Sequence, residues 1–265
     1  MSSESPLSLT TNSTLKSIIP NCDCDVDFSA IASNDGSSQT ISNLISNPVI
    51  AQQEDYDFFL GNNALASSDD PLLVGTAGTY NAYYSYDGND TIDLKDITGT
   101  CIADAHRTDK PFFMTTVFLT NSSPNGNMNI LGNSRVSSDL GIRLRIGSDE
   151  KLDLFISDGT EQIGRSLNNV ILQPNTWYFL AITMNETGNI RSLLNNDYFE
   201  DFISKGTSTT PSTEIFSLGG VRGVSEFDNG WGLRQFGCGQ SYLDGNTLLQ
   251  LRDFLSIRHQ HNYSV

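Results

Sequence analysis

The chain has 265 residues and a formal net charge of −16, from 31 acidic and 15 basic side chains. This charge repels phosphate backbones and anionic membranes, so we expect neither nucleic acid nor a membrane surface as a partner. Apolar residues make up 37% of the sequence, beside 22 glycines and many Ser, Thr, Asn and Asp residues. Such a composition is typical of short strands joined by polar turns.

The first twenty residues are rich in Ser and Thr and only weakly hydrophobic, which predicts an extended N-terminal arm over residues 1–20. One domain over residues 21–265 would follow it. The N-terminus lacks the basic and apolar regions of a signal peptide, and no segment reaches the roughly 18 apolar residues of a membrane span. We therefore expect folding in the cytosol.

Four cysteines, Cys22, Cys24, Cys101 and Cys238, are too few to form a disulfide framework in a chain of this length. Cys22 to Asp25, with the sequence Cys-Asp-Cys-Asp, could supply half of a metal site. The chain has no second pair of Cys or His residues at matching spacing, so we favour ordinary thiols over structural zinc.

Short apolar segments separated by Gly, Asn, Asp or Pro begin near residue 78, at the spacing typical of sandwich strands. In residues 142–146 and 152–156, apolar side chains alternate with other residues, which predicts strands with one buried and one wet face. The short polar segment between these two strands favours antiparallel neighbours and argues against a parallel α/β sheet. The predicted strands are Ala82–Tyr86, Thr91–Leu94, Phe112–Thr120, Met128–Leu131, Gly141–Ile146, Leu152–Ser157, Gln162–Ser166, Trp177–Asn185, Ile190–Leu194, Glu214–Val221 and Gly232–Phe236.

The end of the chain changes to helical spacing of its leucines, which predicts a C-terminal helix over residues 247–259. Asn246 and Thr247 are the candidate N-cap residues. His259 and His261 follow at a spacing that does not share a helix face, so we expect exposed tail histidines in preference to a metal-binding pair.

The segment Trp177–Thr183, followed by Asn185–Gly188 and the Asn195-Asn196 turn, resembles a strand–hairpin pattern of the concanavalin A-like lectin/glucanase superfamily, including its laminin-G and pentraxin-like branches. Tyr84–Leu94 is similar to a segment that opens many such domains. The resemblance, which covers about residues 25–265, implies an all-β, antiparallel β-sandwich of the concanavalin A-like jelly-roll class, with a short C-terminal helix.

The segment from Gln39 to Gly78 is similar to lectin-like modules of bacteriophage structural and appendage proteins. This resemblance implies a non-enzymatic virion protein, a capsid decoration, fibre or tail appendage, whose N-terminal arm contacts other virion proteins. A homo-oligomer, assembly in the host cytoplasm and localisation in the virion are then expected. Cell-surface glycans would be candidate ligands. A glycan-active enzyme and a free soluble lectin are the alternatives.

Enzymes of this superfamily carry a closely spaced acidic strand motif, because retaining glycoside hydrolysis needs two carboxylates about 5 Å apart. The acidic clusters of this chain, residues 54–57 and 149–153, do not reproduce that motif. The first cluster could be a displaced catalytic pair, but we favour a solvated acidic segment that leads into a strand at Phe58–Leu60. No phosphate-binding glycine loop and no His-centred nucleophile system is visible either. We therefore predict no catalytic residues.

Sugar recognition commonly sets an aromatic ring against the C–H face of a sugar, with Asp or Asn meeting its hydroxyl groups. The loop residues Asp228, Asn229 and Trp231 combine these groups, so they are the candidate ligand-binding residues. The alternative is that Trp231 packs in the core. Asp87–Asp93 could bind calcium, although its residues are also those of a tight turn, and no cofactor is predicted to be required.

Overall fold

The computed structural model describes residues 14–121, 127–221 and 230–265. Two antiparallel β-sheets form a sandwich, as predicted, and a helix near the C-terminus is the longest helical element of the described residues. The helices are α1 (Cys101–Asp104) and α2 (Gly245–Arg258), with short 3-10 turns at Leu15–Ser17 and Gln53–Tyr56. No helix among the described residues is long and apolar enough to cross a membrane.

The sixteen strands of the described residues range from two to eight residues in length. They are β1 (Cys22–Asp27), β2 (Thr40–Ile41), β3 (Phe58–Leu60), β4 (Leu72–Val74), β5 (Tyr83–Ser85), β6 (Ile92–Leu94), β7 (Phe112–Leu119), β8 (Met128–Gly132), β9 (Leu140–Ile146), β10 (Leu152–Asp158), β11 (Gln162–Ser166), β12 (Trp177–Met184), β13 (Asn189–Leu194), β14 (Asp197–Phe202), β15 (Ser217–Leu218) and β16 (Gly232–Gly239).

Sheet 1 has the order β14-β13-β12-β7-β16-β5-β4, and β1 pairs with the C-terminal part of β16. Sheet 2 has the order β11-β10-β9-β8-β15-β6-β3-β2. Strands distant in sequence are therefore neighbours in both sheets, as expected for a jelly roll in which hairpins are joined by long connections.

The main hydrophobic core lies between the two sheets, and the period of two along the strands selects its residues. In β12, Tyr178, Leu180 and Ile182 face this core, whereas Phe179 and Ala181 face the other side of sheet 1. Both sides of this strand are therefore covered, which explains why it reads as a nearly continuous apolar run.

Helix α2 covers the outer face of sheet 1. Its side chains Leu248, Leu251, Phe254 and Leu255 are buried against Phe113, Val117, Phe179 and Leu193 of the sheet. The helix begins two residues before the predicted boundary, because the side chain of Asp244 caps it by accepting a 2.8 Å hydrogen bond from the Thr247 amide. The prediction of Asn246 or Thr247 as the N-cap was therefore wrong.

Residues 14–20 do not extend away as an arm. Leu15 and Ile19 are buried with α2 in the outer cluster of sheet 1, and the Leu15 amide donates to Asp25 Oδ2 at 2.9 Å. The few apolar residues of this segment pack against the sheet. The many Ser and Thr residues around them make the segment as a whole only weakly hydrophobic, so the sequence did not predict this packing. Residues 1–13 lie outside the described residues, so an arm there stays a prediction.

The predicted strands agree with the observed ones, apart from residues 214–221, of which only Ser217–Leu218 form a strand. Sequence reasoning missed β1, β2, β4 and β14. Aspartates alternate with apolar residues in β1, and β14 is largely exposed with an acidic composition, so neither has the apolar content typical of a sandwich strand.

Candidate functional site

The predicted ligand-binding residues directly precede β16 in the sequence. Asp228 and Asn229 lie outside the described residues, and their role stays a prediction. Trp231 is fully buried between the sheets, at a position fixed by the 3.0 Å hydrogen bond from the Tyr86 amide to the Trp231 carbonyl. Its ring therefore presents no face to a sugar in this structure, and the alternative of a core tryptophan describes it correctly.

The other tryptophan, Trp177, is half-buried on the outer face of sheet 1. The Arg234 guanidinium lies 3.9 Å from the centroid of its ring, and the Tyr83 ring meets it edge-on with the two centroids 5.2 Å apart. The hydrophobic neighbours of Trp177 in β12 favour a position in the central core, but the structure places the side chain on the outer face of the sheet.

The aspartates of the acidic segment at residues 54–57 accept hydrogen bonds from backbone amides. Asp55 accepts a 2.8 Å hydrogen bond from the Gln52 amide, and Asp57 accepts one of 2.9 Å from the Asn43 amide. In the second cluster, Asp153 pairs with Arg145 at 2.9 Å. These carboxylates have structural partners, and none of these contacts sets two of them across an open cleft.

The Asp87–Asp93 segment contains a buried carboxylate. Asp90 is 2% exposed and accepts a 2.7 Å hydrogen bond from the Asp87 amide, as in a tight turn. Burial, together with the nearby carboxylates of Asp87 and Asp70, raises the pKa of Asp90 to about 6. The part of the chain that the structure describes holds no group of three or more His, Cys, Asp or Glu residues arranged for a metal ion.

His259 is not an exposed tail residue. It is 1% exposed, and its Nε2 and Nδ1 atoms lie 3.0 Å from Asp27 Oδ2 and 2.9 Å from the Tyr263 hydroxyl. Arg258 bridges Asp25 and Asp27 at 2.9 and 3.0 Å. These contacts join the end of α2 to β1 because the tail folds back over sheet 1.

The four cysteines are all buried and free. The Sγ atoms of Cys101 and Cys238 lie 3.5 Å apart inside the sandwich. Burial raises the pKa of the Cys22, Cys24 and Cys238 thiols, which keeps them in the unreactive protonated form.

The outer face of sheet 2 brings together an aromatic ring and several polar groups that sequence reasoning did not select. Strand register places Phe155 beside Arg143, and Asp153 beside Arg145, on neighbouring rows of this face. The centroid of the Phe155 ring lies 4.8 Å from the Arg143 guanidinium carbon and 4.4 Å from that of Arg145. We call Arg143, Arg145, Asp153, Phe155 and Gln162 the Phe155 cluster.

Local sequence explains this cluster. In Leu152–Ile156 the apolar positions 152, 154 and 156 face the core, and Phe155 falls out of phase with them, among outward residues. Its ring lies over Gly164 of β11, where a Cβ atom would come within 2.4 Å of it. An aromatic residue at an outward-facing position of an alternating strand is the sequence feature that could have identified this face.

The sequence matches no protein-family model and no curated protein. In fold it is similar to Trypanosoma rangeli sialidase solved in complex with sialic acid, with a TM-score of 0.60 and 11% identity over 90% of this chain and 33% of the sialidase. It is also similar to botulinum neurotoxin type C, a toxin whose ability to enter cells depends on interaction with two ganglioside molecules, with a TM-score of 0.58 and 13% identity over 91% of this chain and 53% of the toxin chain. The chain thus spans about a third to a half of these proteins.

Proposed function

We propose that this chain is a non-enzymatic carbohydrate-binding β-sandwich that uses the outer face of sheet 2. The observation that carries the proposal is the Phe155 cluster. The half-buried Phe155 ring offers an apolar contact, and guanidinium, carboxylate and amide groups beside it can hydrogen-bond to sugar hydroxyls. The two solved structures of similar fold, one with sialic acid and one of a ganglioside-dependent toxin, support a glycan as the ligand class.

The test is a glycan-array screen of the intact chain, followed by titration of each hit against the variant Phe155→Ala. We expect this variant to lose at least about tenfold in affinity, because the ring supplies the apolar contact. Phe202→Ala is the matched control, since Phe202 is 49% exposed on β14 of the other sheet. Unchanged binding by Phe155→Ala, or the absence of any glycan hit, would contradict the proposal.

The finer proposal is that the chain decorates a phage particle and binds host cell-surface glycans there. Its support is the resemblance of residues 39–78 to phage lectin-like modules. Crosslinking of purified particles through Lys16, followed by peptide mapping, tests it. Links from this site to a different virion protein would support the role, whereas a monomer absent from the particles would exclude it.

The enzymatic alternative has a direct assay. Reducing-sugar release from bacterial and algal polysaccharides would be measured with the unaltered chain, with Glu54→Gln and with Asp57→Asn. We expect no turnover, since the hydrogen bonds of Asp57 and of the neighbouring Asp55 serve the local backbone. Turnover that either substitution abolishes would establish a glycosidase instead. A free lectin would bind glycans without entering particles.

A further inference from the structure

Within residues 14–121, 127–221 and 230–265, Arg143 is a buried positive charge without a carboxylate partner. The residue is 9% exposed, and its side chain donates to two neutral acceptors, the Arg135 carbonyl at 3.2 Å and Gln162 Oε1 at 2.8 Å. Among the residues that the structure describes, no Asp or Glu forms an ion pair with it. Buried charges are normally paired, so this cation is an exception that calls for an explanation.

The nearest charge makes the position of Arg143 less favourable still. The Arg145 guanidinium lies over the same Phe155 ring, and only Arg145 has its own carboxylate, Asp153 at 2.9 Å. Burial and the charge of Arg145 both lower the pKa of Arg143. The chain has an excess of acidic side chains, with a net charge of −16, yet the described residues place no carboxylate against Arg143.

The hydrogen-bonding capacity of Arg143 is only partly used. A guanidinium has five N–H donors in a planar fork, and Nη1 and Nη2 of Arg143 each donate to one neutral oxygen, which leaves a further N–H on each. Such a fork matches the two oxygens of a carboxylate, and charged pairs of this kind are about twice as strong as neutral hydrogen bonds. A carboxylate of a ligand can displace Gln162 Oε1 as the acceptor.

We propose that Arg143 is the subsite for the carboxylate of an acidic sugar, and that Phe155 contacts the C–H face of the same sugar. This inference rests on the proposed function and names its substrate class, since it restricts the ligand to glycans that carry a sugar acid. Arg145, held by Asp153, lies where it can hydrogen-bond to the neighbouring hydroxyl groups. A planar carboxylate is favoured over a sulfate ester because the donors form a planar fork.

The test uses pairs of ligands that differ only in charge. Oligosaccharides ending in glucuronate, galacturonate or sialate are titrated calorimetrically against the intact chain, each beside its own methyl ester. We expect at least one acid to bind about tenfold or more tightly than its ester, and Arg143→Gln to remove that difference. Arg165→Gln is the matched control, because Arg165 is an exposed arginine on β11 of the same sheet.

The possible outcomes distinguish failure of the carboxylate subsite from failure of the proposed function. Equal binding of acids and esters, or of neutral glycans alone, would overturn the carboxylate subsite while glycan binding stands. Binding of no glycan at all would overturn the proposed function itself. A response to sulfated sugars alone would overturn the choice of carboxylate.

Two further measurements keep the inference testable if the variant Arg143→Gln does not fold. The acid-against-ester comparison on the unaltered chain decides the question without any substitution. Gly164→Ala displaces the Phe155 ring but retains the Arg143 guanidinium, because the added Cβ would lie 2.4 Å from that ring. We expect it to weaken acid and ester alike, whereas Arg143→Lys, which keeps the charge without the fork, should weaken only the acid.

Discussion

The imidazole of His259 lies 3.0 Å from the carboxylate of Asp27 in a fully buried contact between the end of α2 and strand β1. Burial opposes ionisation of Asp27, but the contacts with His259 and Arg258 hold its pKa well below the usual range. The ionised carboxylate is therefore a fixed part of the fold, and it ties the tail of the chain to sheet 1.

The variant Asp27→Asn tests this contact. We expect the free energy of unfolding to fall by about 3 kcal/mol or more, because the change removes a buried carboxylate charge that contacts both Arg258 and His259. Urea denaturation followed by circular dichroism measures it. Asp253→Asn is the control, since that side chain is 62% exposed and should change stability by less than about 0.5 kcal/mol.

Acid should destabilise the protein through its buried histidines. His106 is fully buried, and burial lowers its pKa to about 4, against about 6.5 in an unfolded chain. Between these values the unfolded state binds the extra proton. The stability is therefore complete above pH 6.5 and falls as the pH decreases towards 4, by at most about 1.4 kcal/mol per pH unit.

Denaturation midpoints measured from pH 8 to pH 4 test this expectation. His106→Gln should flatten the slope whatever its effect at pH 8. Burial lowers the pKa of His259 and His261 too, so their contribution of the same sign should remain, whereas the raised pKa of Asp90 contributes a slope of the opposite sign. A slope unchanged by the substitution would mean that His106 gains its proton as readily in the folded state.

The packing of α2 on sheet 1 predicts different results for neighbouring helix positions. Leu255 is fully buried, whereas Ile257 is 50% exposed. Leu255→Ala should cost about 2–5 kcal/mol of unfolding free energy, because it leaves a cavity between helix and sheet. Ile257→Ala should cost less than about 1 kcal/mol. Equal losses at both positions would contradict the observed orientation of the helix.

The N-cap assignment gives a further test. Asp244→Ala should lower stability by about 1 kcal/mol, because the Thr247 amide loses its 2.8 Å acceptor. Asn246→Ala, at the position that the sequence favoured, should have little effect. Thermal unfolding of both variants distinguishes the two assignments, and a larger loss at Asn246 would restore the sequence-based one.

The sandwich was predictable because period-two alternation indicates which side chains face the core, as with Ile142, Leu144 and Ile146 of β9. Strand β1 escaped prediction for a physical reason. Its alternating aspartates suggest an exposed loop, but they are buried in the structure. Their burial is understandable only once the partners Arg258 and His259 are known. Those partners lie at the other end of the chain, beyond the reach of any local pattern.

The candidate site was predicted less well than the fold. A Trp beside Asp and Asn in a glycine-flanked loop indicates sugar binding only if its ring faces solvent, and Trp231 is buried instead. Phe155 was identifiable from its phase in the strand, but the pairing of β10 with both β9 and β11 decides what surrounds it. Neighbours across strands depend on register, which sequence alone rarely specifies.

Strand β1 has a consequence for how the protein is made. Its partner β16 lies more than 200 residues later in the chain, so at about 5–20 residues per second the ribosome delivers that partner on the order of 10–40 s afterwards. During this interval the backbone hydrogen-bonding groups of β1 have no partner strand. Asp23, Asp25 and Asp27 keep the waiting segment negatively charged, and this repulsion opposes its association with another nascent chain until β16 and α2 emerge.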